Sequence, residues 1–110
     1  MTVSVAIVGA GDRGQKYARW ITQHPSLARL VAVADPDERR RALVVDGNPA
    51  VASYAGWQEF LHAGQPADLV IVSTQDRRYL EPAVSLACNG YNLMLEKPMV
   101  GLSRLDGQGR

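Results

Sequence analysis

Gly9, Gly11 and Gly14 occupy the first, third and sixth places of one hexapeptide, Gly9-Ala-Gly-Asp-Arg-Gly14. Glycines at this spacing let a chain turn tightly, bring its backbone close to a ligand, and pack a helix against a strand. The chemistry this permits is phosphate binding, because the N–H groups at a helix start attract an anion. Ala10, Asp12 and Arg13 belong to the same turn and are expected to line the cofactor's pyrophosphate with the glycines. Asp35 stands 21 residues after Gly14, at the end of the next apolar run. Its carboxylate can accept hydrogen bonds from both hydroxyls of a ribose and would repel a 2′-phosphate, which favours NAD over NADP. Arg39 and Arg40 lie close enough in sequence to keep NADP as the alternative. Asp35 can also cap the helix that follows.

A second set of polar residues falls late in the chain. Ser73 and Thr74 close one apolar run, and Glu96-Lys97-Pro98 closes another. Carboxyl ends of strands are where open α/β sheets bind ligands. That position makes Ser73, Thr74 and Glu96 candidates for the nicotinamide half of a dinucleotide. Lys97 would place a cation opposite the reacting carbon, able to stabilise an alkoxide or to pass a proton. Taken alone, a Glu-Lys-Pro loop reads equally as a surface ion pair. His24 and His62 fall at helix ends on the opposite side from the cofactor and are not expected to act as bases. Cys88 is the sole cysteine, so neither an intramolecular disulfide nor a thiolate metal centre can form. It is expected to fill core space, and no metal site is expected.

These residues need a scaffold that brings their loops together. Val3–Val8 is a nearly unbroken β-branched run, suited to a strand buried on both faces. Leu30–Ala34, Val51–Tyr54, Asp68–Ser73 and Tyr91–Glu96 read as further strands. Helical spacing covers Arg13–His24, Pro36–Val45, Trp57–Ala63 and Arg78–Asn89. Pro25 and Gly90 stop the first and last of these helices. Strands alternating with helices imply a doubly wound α/β parallel sheet of about five strands with right-handed crossovers, a Rossmann domain. Residues 1–100 form that domain, and 101–110 read as an irregular tail with too few apolar residues for another core helix.

Composition narrows the possibilities further. The 110 residues are 46% hydrophobic and 21% charged, which describes a globular domain. A net charge of +1 supplies no field for nucleic acid. The Arg39–Arg41 run reads as a solvated helix face. No apolar run approaches the roughly 18 residues of a membrane span, and no leader is evident. A cytoplasmic setting is therefore expected.

The opening Val5-Ala-Ile-Val-Gly-Ala-Gly, the Val33-Ala-Asp35 strand end and above all Met94-Leu-Glu-Lys-Pro-Met99 resemble the glucose–fructose oxidoreductase/inositol dehydrogenase family. The resemblance covers residues 3–99 and implies an NAD(P)-binding N-terminal Rossmann domain. It implies hydride transfer between a nicotinamide cofactor and a sugar, polyol or similar hydroxyl substrate. It further implies that Glu96 approaches the nicotinamide ribose, that Lys97 touches the reacting hydroxyl, and that Thr74 lines the cofactor. Two features depart from the family pattern. Gln75-Asp76 replaces the usual Pro-Asn, and Tyr79 stands where a histidine is usual. Family members also continue into a C-terminal substrate domain, which is absent from these 110 residues. The expected protein is thus a truncated cofactor domain with little turnover alone. A stand-alone dinucleotide-sensing module and a non-catalytic interaction scaffold are the alternatives. An uncovered sheet edge and domain face would favour self-association.

Overall fold

Val3–Val8 forms the central strand β1, with Val5–Val8 buried. In the computed structural model, which describes residues 2–46, 48–74 and 80–96, the chain then alternates helix and strand throughout. Helix α1 spans Asp12–Thr22, β2 Ala28–Ala34, α2 Glu38–Asp46 and β3 Ala52–Tyr54. Helix α3 spans Trp57–His62, β4 Leu69–Val72, α4 Leu80–Cys88 and β5 Leu93–Leu95. The five strands pair in parallel in the order β3-β2-β1-β4-β5. The chain winds one way from β1 to β3, then returns to start β4 on β1's other side. The reversal point between β1 and β4 is where such sheets leave a crevice.

Alternation along β1 divides the core between two faces. Val5 and Ile7 pack with Ala18 and Ile21 of α1 and Val44 of α2. Ala6 and Val8 pack on the other face with Phe60 of α3 and Leu86 of α4. Helices therefore cover both faces, as a doubly wound sheet requires. Phe60 and Leu86 are wholly buried and give the second layer most of its volume. The β1–β2 register shifts by one residue between Val5 and Ala6, so Val31 has no partner on β1.

Two details differ from the sequence expectation. Helix α2 begins at Glu38, two residues after Pro36. The cause is Asp37, whose Oδ1 accepts the Arg39 N–H at 2.9 Å and the Arg40 N–H at 3.4 Å. Asp37 is therefore the cap, and Pro36 lies in the bend before it. Cys88 is exposed and is not a core residue. Helix α4 presses Pro82, Ala83 and Leu86 inward, which leaves Leu80 at 60% and Val84 at 54% exposure on its outer side. The helix carries two apolar stripes, and Cys88 falls on the outer one. Trp20 likewise projects outward from α1, stacked on the His24 ring at 3.8 Å. Among the described residues no helix is long and apolar enough to cross a membrane. The 101–110 tail lies outside the described residues.

A glycine-turn cleft at the carboxyl end of the sheet

The chain leaves β1 through Gly9, at φ +98°, a backbone region that side chains rarely enter. A Cβ there would lie 2.7 Å from the Thr74 nitrogen. Gly14, in the first turn of α1, is tighter still. A Cβ on it would stand 2.1 Å from the Gly9 carbonyl oxygen. The helix and the turn thus touch backbone to backbone, and only glycine fits either place. Gly11 is the N-cap of α1 and brings no side chain to bond the helix's first N–H groups. That leaves the start of α1 suited to an external anion.

Neighbouring strands fix this turn from both sides. The Gly9 N–H donates to the Ala34 carbonyl of β2 at 2.8 Å, and the Ser73 N–H donates to the Val8 carbonyl at 2.8 Å. The Ser73 hydroxyl, buried, donates to the Gly9 carbonyl at 2.7 Å. Asp35 is only 4% exposed. Its Oδ2 accepts the Ala10 N–H and its Oδ1 the Asp37 N–H, both at 2.7 Å. One carboxylate therefore ties the glycine turn to the loop opening α2. Such charge-assisted bonds are stronger than neutral ones. Each oxygen keeps a lone pair for a second donor.

The turn opens onto a cleft of about 470 Å³ above the reversal point. Gly9, Gly11, Asp35, Ser73 and Thr74 line it together. Pro36, Asp37 and Arg40 form one wall, and Gly56, Trp57 and Gln58 at the start of α3 form another. Glu81 and Pro82 from the first turn of α4 complete it. Trp57, Glu81 and Pro82 were not singled out from the sequence, because only the strand order reveals which helix starts meet the glycine turn. Their one sequence signal is position after an apolar run. Thr74 Oγ1 is buried and has no hydrogen-bond partner among the described residues. A hydroxyl at the edge of a cleft can donate to a group that enters it.

Ala10 is fully buried, and Asp12, Arg13 and Gly14 belong to α1 rather than to the cleft lining. Glu96 does not line the cleft either. Its Oε2 accepts the Tyr17 hydroxyl of α1 at 2.5 Å, and its Oε1 lies 3.9 Å from Arg13 Nε. The bond to Glu96, then burial and the same negative charge, raise the Tyr17 pKa above its ordinary value, partly opposed by Arg13. Lys97, Pro98, Gln75, Asp76 and Tyr79 lie outside the described residues.

The strand order, the glycine turn and the cleft at the reversal point define a dinucleotide-binding Rossmann domain. A model of the oxidoreductase family with an NAD-binding Rossmann fold matches residues 3–105, and the chain belongs to that family. It is 34% identical over 107 residues to inositol 2-dehydrogenase 1 of Saccharopolyspora erythraea, covering 90% of this chain and 29% of that one. It is 30% identical over 98 residues to inositol 2-dehydrogenase of Streptomyces avermitilis, covering 89% of this chain and 28% of the relative. The WlbA dehydrogenase of Chromobacterium violaceum, solved with NADH and UDP-GlcNAcA, superposes with a TM-score of 0.80 at 26% identity. That match covers 89% of this chain and 28% of WlbA. The WlbA dehydrogenase of Bordetella pertussis shares the fold, with a TM-score of 0.77 at 19% identity over 86% of this chain and 28% of that one. The chain thus spans under a third of the length of the relatives it matches.

Proposed function

We propose that this domain holds NAD for hydride transfer to or from a hydroxyl carbon of a sugar, polyol or related substrate. The observation that carries the reading is the meeting of four features at one cleft. These are the Gly9–Gly14 backbone cradle, the start of α1 with no side-chain cap, the buried Asp35, and the Thr74 hydroxyl, which has no partner among the described residues. The pyrophosphate would rest on the start of α1, with Gly11 at closest approach. Asp35 would accept the adenosine ribose hydroxyls on its remaining lone pairs. Ser73 and Thr74 would serve the nicotinamide end, with Thr74 Oγ1 donating to the ligand. Trp57 and Pro36 offer apolar surface for the adenine. NAD supplies the hydride acceptor or donor when bound. Lys97 is the catalytic candidate, as the cation beside the reacting hydroxyl.

The charges on the rim support NAD over NADP. Asp37 stands beside Asp35 at the ribose wall, and Arg40 Nε lies 3.8 Å from Asp37 Oδ2. Arg40 is thereby shared with a carboxylate instead of facing a 2′-phosphate alone. Inositol 2-dehydrogenases among the relatives make a cyclic polyol the first substrate class to try. The outward Leu80, Val84 and Cys88 supply a surface for self-association or for a substrate-binding unit. The proposed setting is cytoplasmic, with neither nucleic acid nor membrane as partner.

Thermal-shift titration with NAD, NADH and NADP tests the reading. A ligand that binds only the folded state stabilises it by about 2.7 kcal/mol at a hundred times its Kd. NAD should raise the melting temperature and quench Trp57, and NADP should do so only at higher concentration. No shift at millimolar NAD and NADP would remove the proposal.

A further inference from the structure

Tyr17 and Arg13 lie one helical turn apart on α1 and meet the same carboxylate. Glu96 follows β5, and its N–H donates to the Val72 carbonyl of β4 at 2.9 Å, so its backbone is fixed to the sheet. Its side chain is 23% exposed, and the Tyr17 hydroxyl reaches it at 2.5 Å. Arg13 comes from the first turn of α1, the turn that also contains Gly14. One end of the contact therefore sits on the helix whose start faces the phosphates. The other end sits next to Lys97 in the chain.

We propose that Tyr17, Arg13 and Glu96 form a positioning clamp that holds the end of β5 in register with α1, so that the nicotinamide half of NAD is aligned with its pyrophosphate. This rests on the NAD reading above and gives Glu96 a partner on α1 beside the nicotinamide ribose that the resemblance implies. The raised Tyr17 pKa accords with a phenol held against a carboxylate. A partly desolvated bond of this kind fixes both partners' geometry, and alignment of bound groups is a large part of what a cofactor site supplies. The groups proposed for the phosphates and adenosine lie on the glycine turn, the loop after β2 and the start of α3, none of them on β5, so the clamp matters for the other half of the ligand.

Calorimetric titration of the intact chain with NAD and with ADP separates the possibilities. The proteins are wild type, Tyr17→Phe, Glu96→Ala and the double variant. Loss of one such bond should weaken NAD binding about three- to tenfold and leave ADP binding within about twofold. The double variant should be no weaker than Glu96→Ala, because removing the carboxylate already removes the Tyr17 contact. The Tyr17 ring, followed by NMR through alkaline titration, should ionise at lower pH in Glu96→Ala than in wild type. Equal loss of ADP and NAD binding in Tyr17→Phe would overturn the clamp in favour of plain helix destabilisation. Loss confined to Glu96→Ala would overturn it in favour of direct ribose contact. Wild type that binds neither ligand would overturn the cofactor reading itself and the clamp's role with it.

Discussion

Gly14→Ala is the most demanding perturbation of this fold, because two effects of comparable size oppose each other. Alanine is the better helix former by about 1 kcal/mol. Its Cβ would, however, stand 2.1 Å from the Gly9 carbonyl oxygen and 3.1 Å from Ser73 Oγ. Neither is the end of a flexible chain. The Gly9 carbonyl is held by β1, and Ser73 Oγ donates to that same carbonyl at 2.7 Å. Restoring an ordinary contact near 3.4 Å moves the start of α1 outward by about 1 Å. Overpacking of this kind costs about 1–3 kcal/mol, and 2.1 Å lies at the severe end. Loosening the Ser73 bond adds about 1 kcal/mol. After the helix gain is subtracted, the net loss is about 3 kcal/mol. For a domain of this size that lowers the melting temperature by roughly 12–24 °C. Scanning calorimetry measures it directly. Gly64→Ala is the matched control, with φ +66° but nothing within 4 Å of the added carbon. It should lose only the left-handed backbone penalty of about 1 kcal/mol. A Gly14→Ala protein as stable as wild type, or more so, would refute the close approach of α1 to the turn.

Asp35→Ala should destabilise the fold by about 2–4 kcal/mol, because it strands the Ala10 and Asp37 N–H groups that the buried carboxylate now satisfies; urea unfolding would show it. Asp68 Oδ2 accepts the Ser4 N–H at 2.9 Å, while the Ser4 hydroxyl accepts the Asp68 N–H at 2.9 Å. The Ser4 N–H, and then the Ser4 hydroxyl, beside that carboxylate lower the Asp68 pKa below its ordinary 3.8. Because the folded value is the depressed one, the contribution is present above pH about 4 and is lost as pH falls through the folded value. Asp68→Asn should therefore flatten the stability profile on the acid side of pH 4 and leave its alkaline shape unchanged, as acid-unfolding midpoints would report.

The sheet was legible because the apolar stretches Val5–Val8 and Val70–Val72 are buried on both faces and carry their own signal. The glycine turn was legible because Gly9 and Gly14 sit where no other residue fits. Strand order was not, since parallel pairing leaves no local mark on either strand. With it went the walls of the cleft, so Trp57 and Pro82 emerged only from the folded chain. Asp35 was read as a ribose acceptor, and its closure of the turn depends on the loop reaching across from Ala10. Tyr17 fits the apolar spacing of α1, and nothing local distinguishes a packed ring from one whose hydroxyl meets Glu96 79 residues on. Cys88 shows the same limit, because an apolar helix with two stripes does not say which faces the sheet.

The bonds that close the glycine turn have a thermodynamic consequence. Ala34, Asp35 and Ser73 already hold Gly9 and Ala10 from three directions without any ligand. Ordering a loop is one of the main costs of association, and here folding has met it beforehand. Cofactor capture at this end of the cleft is therefore close to lock-and-key, with little loss of chain entropy on binding. The Ala10 amide should resist hydrogen exchange nearly as well in the free protein as in the complex, because its partner is Asp35 and not the phosphate.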